Sequence, residues 1–126
     1  MLAVDDNDMN LAVIESLLKR TLVKLDLAMS GEECLKMTRK KAYDLIFMDH
    51  MMPGMDGIET LKALRKDEGN YNKDIPIIAL TANAVAGSQE YYLENGFDDY
   101  LSKPVDVVKL EQTLVKYLPD NLVTLT

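Results

Sequence analysis

Residues suited to metal and phosphate chemistry recur in one kind of place along this sequence, directly after short apolar runs. Asp5 and Asp6 follow the run 2–4, Asp49 follows 45–48, Thr81 follows 77–80, and Lys103 follows 100–102 with Pro104 next. If the first and third runs are neighbouring strands, Asp5, Asp6 and Asp49 converge. Two carboxylates ~4 Å apart repel by roughly 4 kcal/mol at an effective dielectric near 20, so three together need a cation or a raised pKa. A divalent metal is the simpler remedy. Carboxylates without a histidine or cysteine cluster suit Mg²⁺ better than zinc, because Mg²⁺ prefers oxygen ligands and keeps part of its hydration shell. Lys103 adds a point positive charge and Thr81 a hydroxyl, both fit for the oxygens of a phosphoryl group. Asp49 can supply the nucleophile, since an aspartate beside Mg²⁺ can attack phosphorus to form an acyl phosphate.

These positions gain meaning only if the runs are strands. Runs 2–4, 23–28, 45–48, 77–80 and 100–102 have β character, and a helix-like stretch follows each. In the first stretch, about residues 8–21, Leu11, Ile14 and Leu18 recur at helical spacing, and Val13 and Leu17 widen the stripe. Ser30 can cap the second stretch while Glu33 reaches back to complete a capping box. The third starts at Gly57 and carries Ile58, Leu61 and Leu64; the fifth starts near Asp106 and carries Leu110, Leu114 and Tyr117 or Leu118. The fourth, residues 88–94, is short, polar and weakly patterned, the expected site of mobility.

Five strands alternating with five helices predict an α/β fold, a parallel sheet covered on both faces, because each crossover helix must bury its apolar stripe. The run Leu45-Ile46-Phe47-Met48 lacks alternation and suits a central strand buried on both sides. In such sheets ligands bind at the carboxyl ends of the strands, where strand order reverses. Residues 69–73 form a polar loop, and no stretch has the composition of a long linker.

The 126 residues allow one domain and no second catalytic or DNA-binding unit. With 48% hydrophobic and 28% charged residues, the chain can bury a sizeable core. Fourteen basic and 21 acidic residues give a net charge of −7, which repels phosphate backbones and argues against nucleic-acid binding. The excess is concentrated in residues 74–126, net −5, which suits a basic or neutral partner surface. The single cysteine, Cys34, lies in an apolar helix-like stretch and reads as a buried small side chain in a reducing compartment. Carboxylates interrupt the start of the chain before a signal-peptide core could form, and no apolar run is long enough for a membrane span. A cytoplasmic location, or a cytoplasmic part of something larger, is expected.

The order Asp5-Asp6, then DHMMPGMDG from Asp49 to Gly57, LTA at 80–82 and YLSKP at 100–104 resembles the receiver domain of two-component response regulators. The resemblance covers nearly the whole chain. It implies a flavodoxin-like (βα)₅ doubly wound sheet of strand order 2-1-3-4-5, with the receiver occupying 1–119 and residues 120–126 a tail or linker remnant. It implies that Asp49 accepts a phosphoryl group from a histidine kinase or histidine phosphotransfer protein. Asp6 and Asp49 would ligate Mg²⁺ through carboxylates, the Met51 backbone carbonyl would be a further ligand, and Asp5 would act through coordinated water. Lys103 would pair with the phosphoryl group, Thr81 would move toward it, and Tyr100 would change rotamer, altering the face of helix 4, strand 5 and helix 5. The Lys103–Pro104 peptide is commonly cis in this family. Met51 and Asn83 occupy the positions that tune hydrolysis, and a phosphorylation-dependent dimer is among the implied assemblies.

Asp5 to Asn7, Asn10 and the DHMMPGMDG loop look especially like receivers attached to hybrid sensor kinases. That subclass passes its phosphoryl group to a histidine phosphotransfer protein, docking near helix 1, where Leu11 and Ile14 could contribute if accessible. Catalysis would then be confined to self-phosphorylation and self-dephosphorylation, so the domain is not an enzyme in the turnover sense.

Plainer roles stand beside these. Acids after a strand often only cap the next helix. His50, the only histidine, follows Asp49 in a strand where successive side chains point oppositely, so it reads as structural or exposed. Met51, Met52 and Met55 read as loop packing, and Gly54 and Gly57 as turn formers. A flavodoxin-like electron carrier needs a Ser/Thr/Gly loop after strand 1, where this chain has Asp5-Asp6-Asn7-Asp8. A Mg²⁺-dependent phosphohydrolase of aspartyl-phosphate type needs a second aspartate two residues after the nucleophile, where Met51 stands.

Overall fold

All five apolar runs form strands in the computed structural model, which describes residues 1–18, 24–82, 88–103 and 105–117. They are β1 (Leu2–Val4), β2 (Asp26–Ala28), β3 (Ile46–Asp49), β4 (Ile77–Thr81) and β5 (Asp99–Ser102). Five helices intervene or follow: α1 (Asp8–Leu18), α2 (Gly31–Lys40), α3 (Gly57–Lys66), α4 (Ser88–Glu94) and α5 (Val107–Tyr117). Every strand pairing is parallel and the order is β2-β1-β3-β4-β5, a flavodoxin-like sheet as expected. Thr21, Val23, Asn83, Pro104, Leu118 and the 120–126 tail lie outside the described residues.

Alternation along the strands divides the core into two layers. Leu2, Val4, Ile46, Met48, Ile77 and Ala79 pack with Cys34 and Leu35 of α2, Leu61 and Leu64 of α3, and Tyr92 of α4. Ala3, Phe47, Ile78, Leu80 and Leu101 turn the other way, onto Leu11, Ile14 and Leu18 of α1 and Leu110 and Leu114 of α5. Each fully buried aliphatic or aromatic side chain contributes roughly 1.5–3 kcal/mol, so the two stripes hold helices that are too short to persist alone. The unbroken run at 45–48 is explained by the same geometry: β3 is central, and all its residues are buried.

Details depart from the sequence expectations. Val13 does not widen the α1 stripe; it is 46% exposed, and Leu11 and Ile14 are each only 2% exposed. These two therefore fill the core and have no surface to offer a partner. The Ser30 hydroxyl accepts from Glu33 N at 3.1 Å, but the Glu33 carboxylate reaches Met29 N at 3.3 Å, one residue short of a closed capping box. A complete one starts α3 instead, between Asp56 and Glu59, at 2.8 and 3.4 Å. Polar as its sequence is, α4 buries Tyr92 in the core and contacts β5. The polar loop after α3 is also fastened: Asn72 is fully buried and its amide donates to the Thr38 and Lys41 carbonyls, 2.8 Å each. These bonds satisfy carbonyls at the end of α2.

Candidate functional site

Because β1 lies beside β3, with Val4 in register with Met48, the chain leaves both strands at the same edge of the sheet. Asp5, Asp6 and Asp49 each present a carboxylate oxygen there, and these oxygens lie within 4.8 Å of one another. Asp5 and Asp49 are buried and Asp6 is exposed at the mouth. Helix capping does not account for these acids. Asn7 caps α1, its side-chain oxygen accepting from Met9 N at 2.8 Å and Asn10 N at 3.4 Å. Asp5 Oδ1 accepts from Asn7 N at 3.0 Å, which orients its carboxylate toward the cluster's other members.

Lys103 arrives from the end of β5, its backbone N donating to Thr81 O at 2.7 Å. The Lys103 ammonium donates to Asp49 Oδ1 at 2.7 Å and stands 3.0 Å from Asp5 Oδ2. Asp5 Oδ2 is fully buried, and the Lys103 ammonium is the partner the structure gives it. Burial pushes the Asp49 carboxyl up to about 6; Lys103 opposes that rise and the Asp5 charge adds to it. Burial pulls the Lys103 ammonium down, but the two flanking carboxylates outweigh it and hold it above its ordinary value. One ammonium, paired with Asp5 and Asp49, thus serves a cluster of three carboxylates, an all-oxygen donor set with excess negative charge. That arrangement fits a hard divalent cation such as Mg²⁺.

The turn after Asp49 is held by close backbone contact. His50 N donates to Leu80 O at 3.1 Å, and Gly57 N donates to His50 O at 2.9 Å, closing the loop 50–57 on itself. A Cβ at Gly57 would overlap the Asp49 carbonyl oxygen, so only glycine permits this closure. Gly54 takes φ 77°, the left-handed conformation that turns the loop. Met52 is buried and Met55 packs against the core, as expected for loop packing. Met51 differs: its side chain is 69% exposed beside the cluster.

Thr81 ends β4, buried, one residue beyond Leu80, which pairs in register with Asp49. Tyr100 is half-buried on β5 and stacks on Tyr92, with centroids 6.1 Å apart and an interplanar angle of 23°. Two residues play parts the motifs did not assign. Asn10 lines a cavity of about 50 Å³ together with Asp5, Ile14, Leu80 and Lys103. His50 hydrogen-bonds through Nδ1 to the Tyr92 hydroxyl at 2.9 Å. Strand alternation points His50 away from the cluster, and the sequence carries no signal for which residue it meets.

An order-reversing parallel sheet with acids at the ends of its first and third strands, and a lysine after its fifth, defines a class. This chain belongs to the response regulator receiver domain family, whose model matches residues 1–115. It is 37% identical over 118 residues to the sensor protein GacS of Pseudomonas syringae pv. syringae; the match covers 93% of this chain and 13% of GacS. It is 35% identical, with a TM-score of 0.79, to the receiver domain of the sensor histidine kinase PA1611 from Pseudomonas aeruginosa PAO1. That structure has a magnesium ion coordinated in the active-site cleft, and the match covers 92% of this chain and 93% of that one. A third similarity, 31% identity and a TM-score of 0.82, is to the co-crystal structure of the Saccharomyces cerevisiae histidine phosphotransfer signaling protein Ypd1 with the receiver domain of Ssk1. It covers 92% of this chain and 86% of that one. Receiver domains of this kind act in phosphorelay signalling. No described helix is long and apolar enough to cross a membrane.

Proposed function

We propose that Asp49 accepts a phosphoryl group from a phosphohistidine donor and that the modified domain presents an altered surface to a partner. The observation that carries this reading is the convergence of three carboxylates, Asp5, Asp6 and Asp49, at one edge of the sheet beside a single ammonium, Lys103. Asp6 and Asp49, the Met51 carbonyl and Asp5 through water would hold Mg²⁺. When bound, the ion supplies positive charge to the phosphoryl oxygens.

The Asp49 carboxylate oxygen attacks phosphorus as the P–N bond to the donor imidazole breaks; the electron pair stays on that nitrogen. Lys103 exchanges part of its contact with Asp49 for a phosphoryl oxygen. Thr81, at the adjacent strand end, donates its hydroxyl to the same group, and Tyr100 follows. Catalysis is confined to the domain's own modification and to hydrolysis of the resulting acyl phosphate.

The donor is a histidine kinase or a histidine phosphotransfer protein, and the parent of this domain is a hybrid sensor kinase, as the similarity to GacS and PA1611 suggests. On α1 the docking surface is Met9, 74% exposed, with Val13. The test is phosphotransfer profiling with labelled donors from both classes, with and without Mg²⁺. Rapid Mg²⁺-dependent transfer to the native chain and none to Asp49→Asn is expected. Equal labelling of Asp49→Asn would overturn the reading.

A further inference from the structure

His50 stands between the proposed phosphoacceptor and the output face. Its backbone joins β4 to the loop that follows Asp49, its N donating to Leu80 O and its O accepting from Gly57 N. Its imidazole crosses to α4. Nδ1 and the Tyr92 hydroxyl are hydrogen-bonded at 2.9 Å, with the donor set by the tautomer, and the rings meet edge-on at 5.3 Å and 90°.

Tyr92 is itself 4% exposed and joins the core below α4. It meets Phe97 edge-on at 5.7 Å and stacks on Tyr100. A buried tyrosine hydroxyl requires a partner, and losing one costs its desolvation without return. Withdrawal of His50 would therefore remove the partner that the structure gives the Tyr92 hydroxyl, and rotation of Tyr100 would break its stack on the Tyr92 ring.

We propose that the His50–Tyr92 hydrogen bond is a coupling between the phosphoacceptor loop and α4–β5, parallel to the Thr81 and Tyr100 route. His50 is a positioning residue in this role: it touches neither donor nor metal, and it sets where Tyr92 sits when the loop moves. The proposal rests on the reading of Asp49 as phosphoacceptor. A shared two-state element biased from both ends is the physical content of such a coupling.

Beryllofluoride, a phosphoryl mimic that binds an aspartate carboxylate, separates the two claims when amide resonances are followed by NMR with Mg²⁺ present. In the native chain, resonances around Asp49 and Lys103 should shift, and those of Gly96, Phe97 and Tyr100 should shift with them. Tyr92→Phe and His50→Ala should keep the first set and lose at least two thirds of the second. The double variant should lose no more than either single one, because both remove the same link. His50→Asn, which places an amide near the Nδ1 position, should restore at least half of the lost response; a merely structural loss of packing would not be rescued this way. Full α4–β5 shifts in both single variants, or additive losses, would overturn the coupling. No shift at Asp49 in the native chain would overturn the phosphoacceptor reading and the coupling with it.

Discussion

Replacing Gly57 by alanine tests how the acidic site is held. The added Cβ would overlap Asp49 O and lie 3.0 Å from both the Asp49 carbonyl carbon and His50 Cα. All three are backbone atoms, so no side chain can swing aside. Relief by a shift on the order of 1 Å would take the Gly57 N to His50 O hydrogen bond, 2.9 Å long, beyond its useful range. That bond is worth about 1 kcal/mol, and forcing a group into a filled space costs about 1–3 kcal/mol. Against this stands a gain of about 0.4–1 kcal/mol from restricting the unfolded chain. The net expectation is a loss of about 2 kcal/mol, seen in urea denaturation as a midpoint lower by about 1 M. Gly69→Ala is the control: a Cβ there meets only the Asp67 side chain, at 3.7 Å, and should leave stability unchanged or slightly raised. Since Asp49 is the residue displaced, Gly57→Ala should also weaken Mg²⁺ binding by calorimetry. If Gly57→Ala and Gly69→Ala agree within 0.5 kcal/mol, the close-contact argument is refuted.

Lys103→Met leaves Asp5 and Asp49 buried without their cation and should cost about 3 kcal/mol of stability at neutral pH. Saturating Mg²⁺ should restore most of that loss in thermal melts while phosphorylation-dependent partner binding stays impaired; normal partner binding would contradict the role of Lys103. The raised Asp49 carboxyl binds its proton more tightly folded than unfolded, so its contribution to stability falls as pH rises from the ordinary carboxylate range through about 6. Protons and Mg²⁺ compete for it: affinity measured by calorimetry should be nearly flat from pH 7 to 8 and weaken, toward about tenfold per unit, below 6. A flat affinity from pH 5 to 8 would refute this. Burial pushes the Cys34 thiol up to about 12, so a thiol reagent at pH 8 should modify it only at the rate of unfolding. Immediate stoichiometric reaction would show that Cys34 is accessible.

Most of the fold was legible because each strand lies in or beside a short apolar run and α1, α3 and α5 repeat their apolar residues at helical spacing. Asp5, Asp6, Asp49, Thr81 and Lys103 could be placed together for the same reason: a parallel sheet brings all its strand ends to one edge. What escaped was the contact between elements. Nothing in the polar stretch 88–94 marks Tyr92 as core, since its burial depends on the space that β5 and Phe97 leave. Residues 69–73 look like any turn-forming loop, yet Asn72 is buried because the α2 carbonyls it satisfies are 31 and 34 residues away. Leu11 and Ile14 could serve docking only if accessible, and helical spacing identifies their stripe without saying how deeply the sheet covers it. His50 could be turned away from Asp49 by strand alternation, but its partner, Tyr92, lies 42 residues on.

The central claim is that Asp49 carries the phosphoryl group, and its position can be read directly. After incubation with acetyl phosphate and Mg²⁺, borohydride reduction converts an aspartyl phosphate to homoserine, which tandem mass spectrometry locates. The expected result is homoserine at position 49 alone, absent when Mg²⁺ is chelated. Homoserine at Asp5 or Asp6, or an unmodified peptide spanning Asp49 despite incorporated phosphate, would contradict the account.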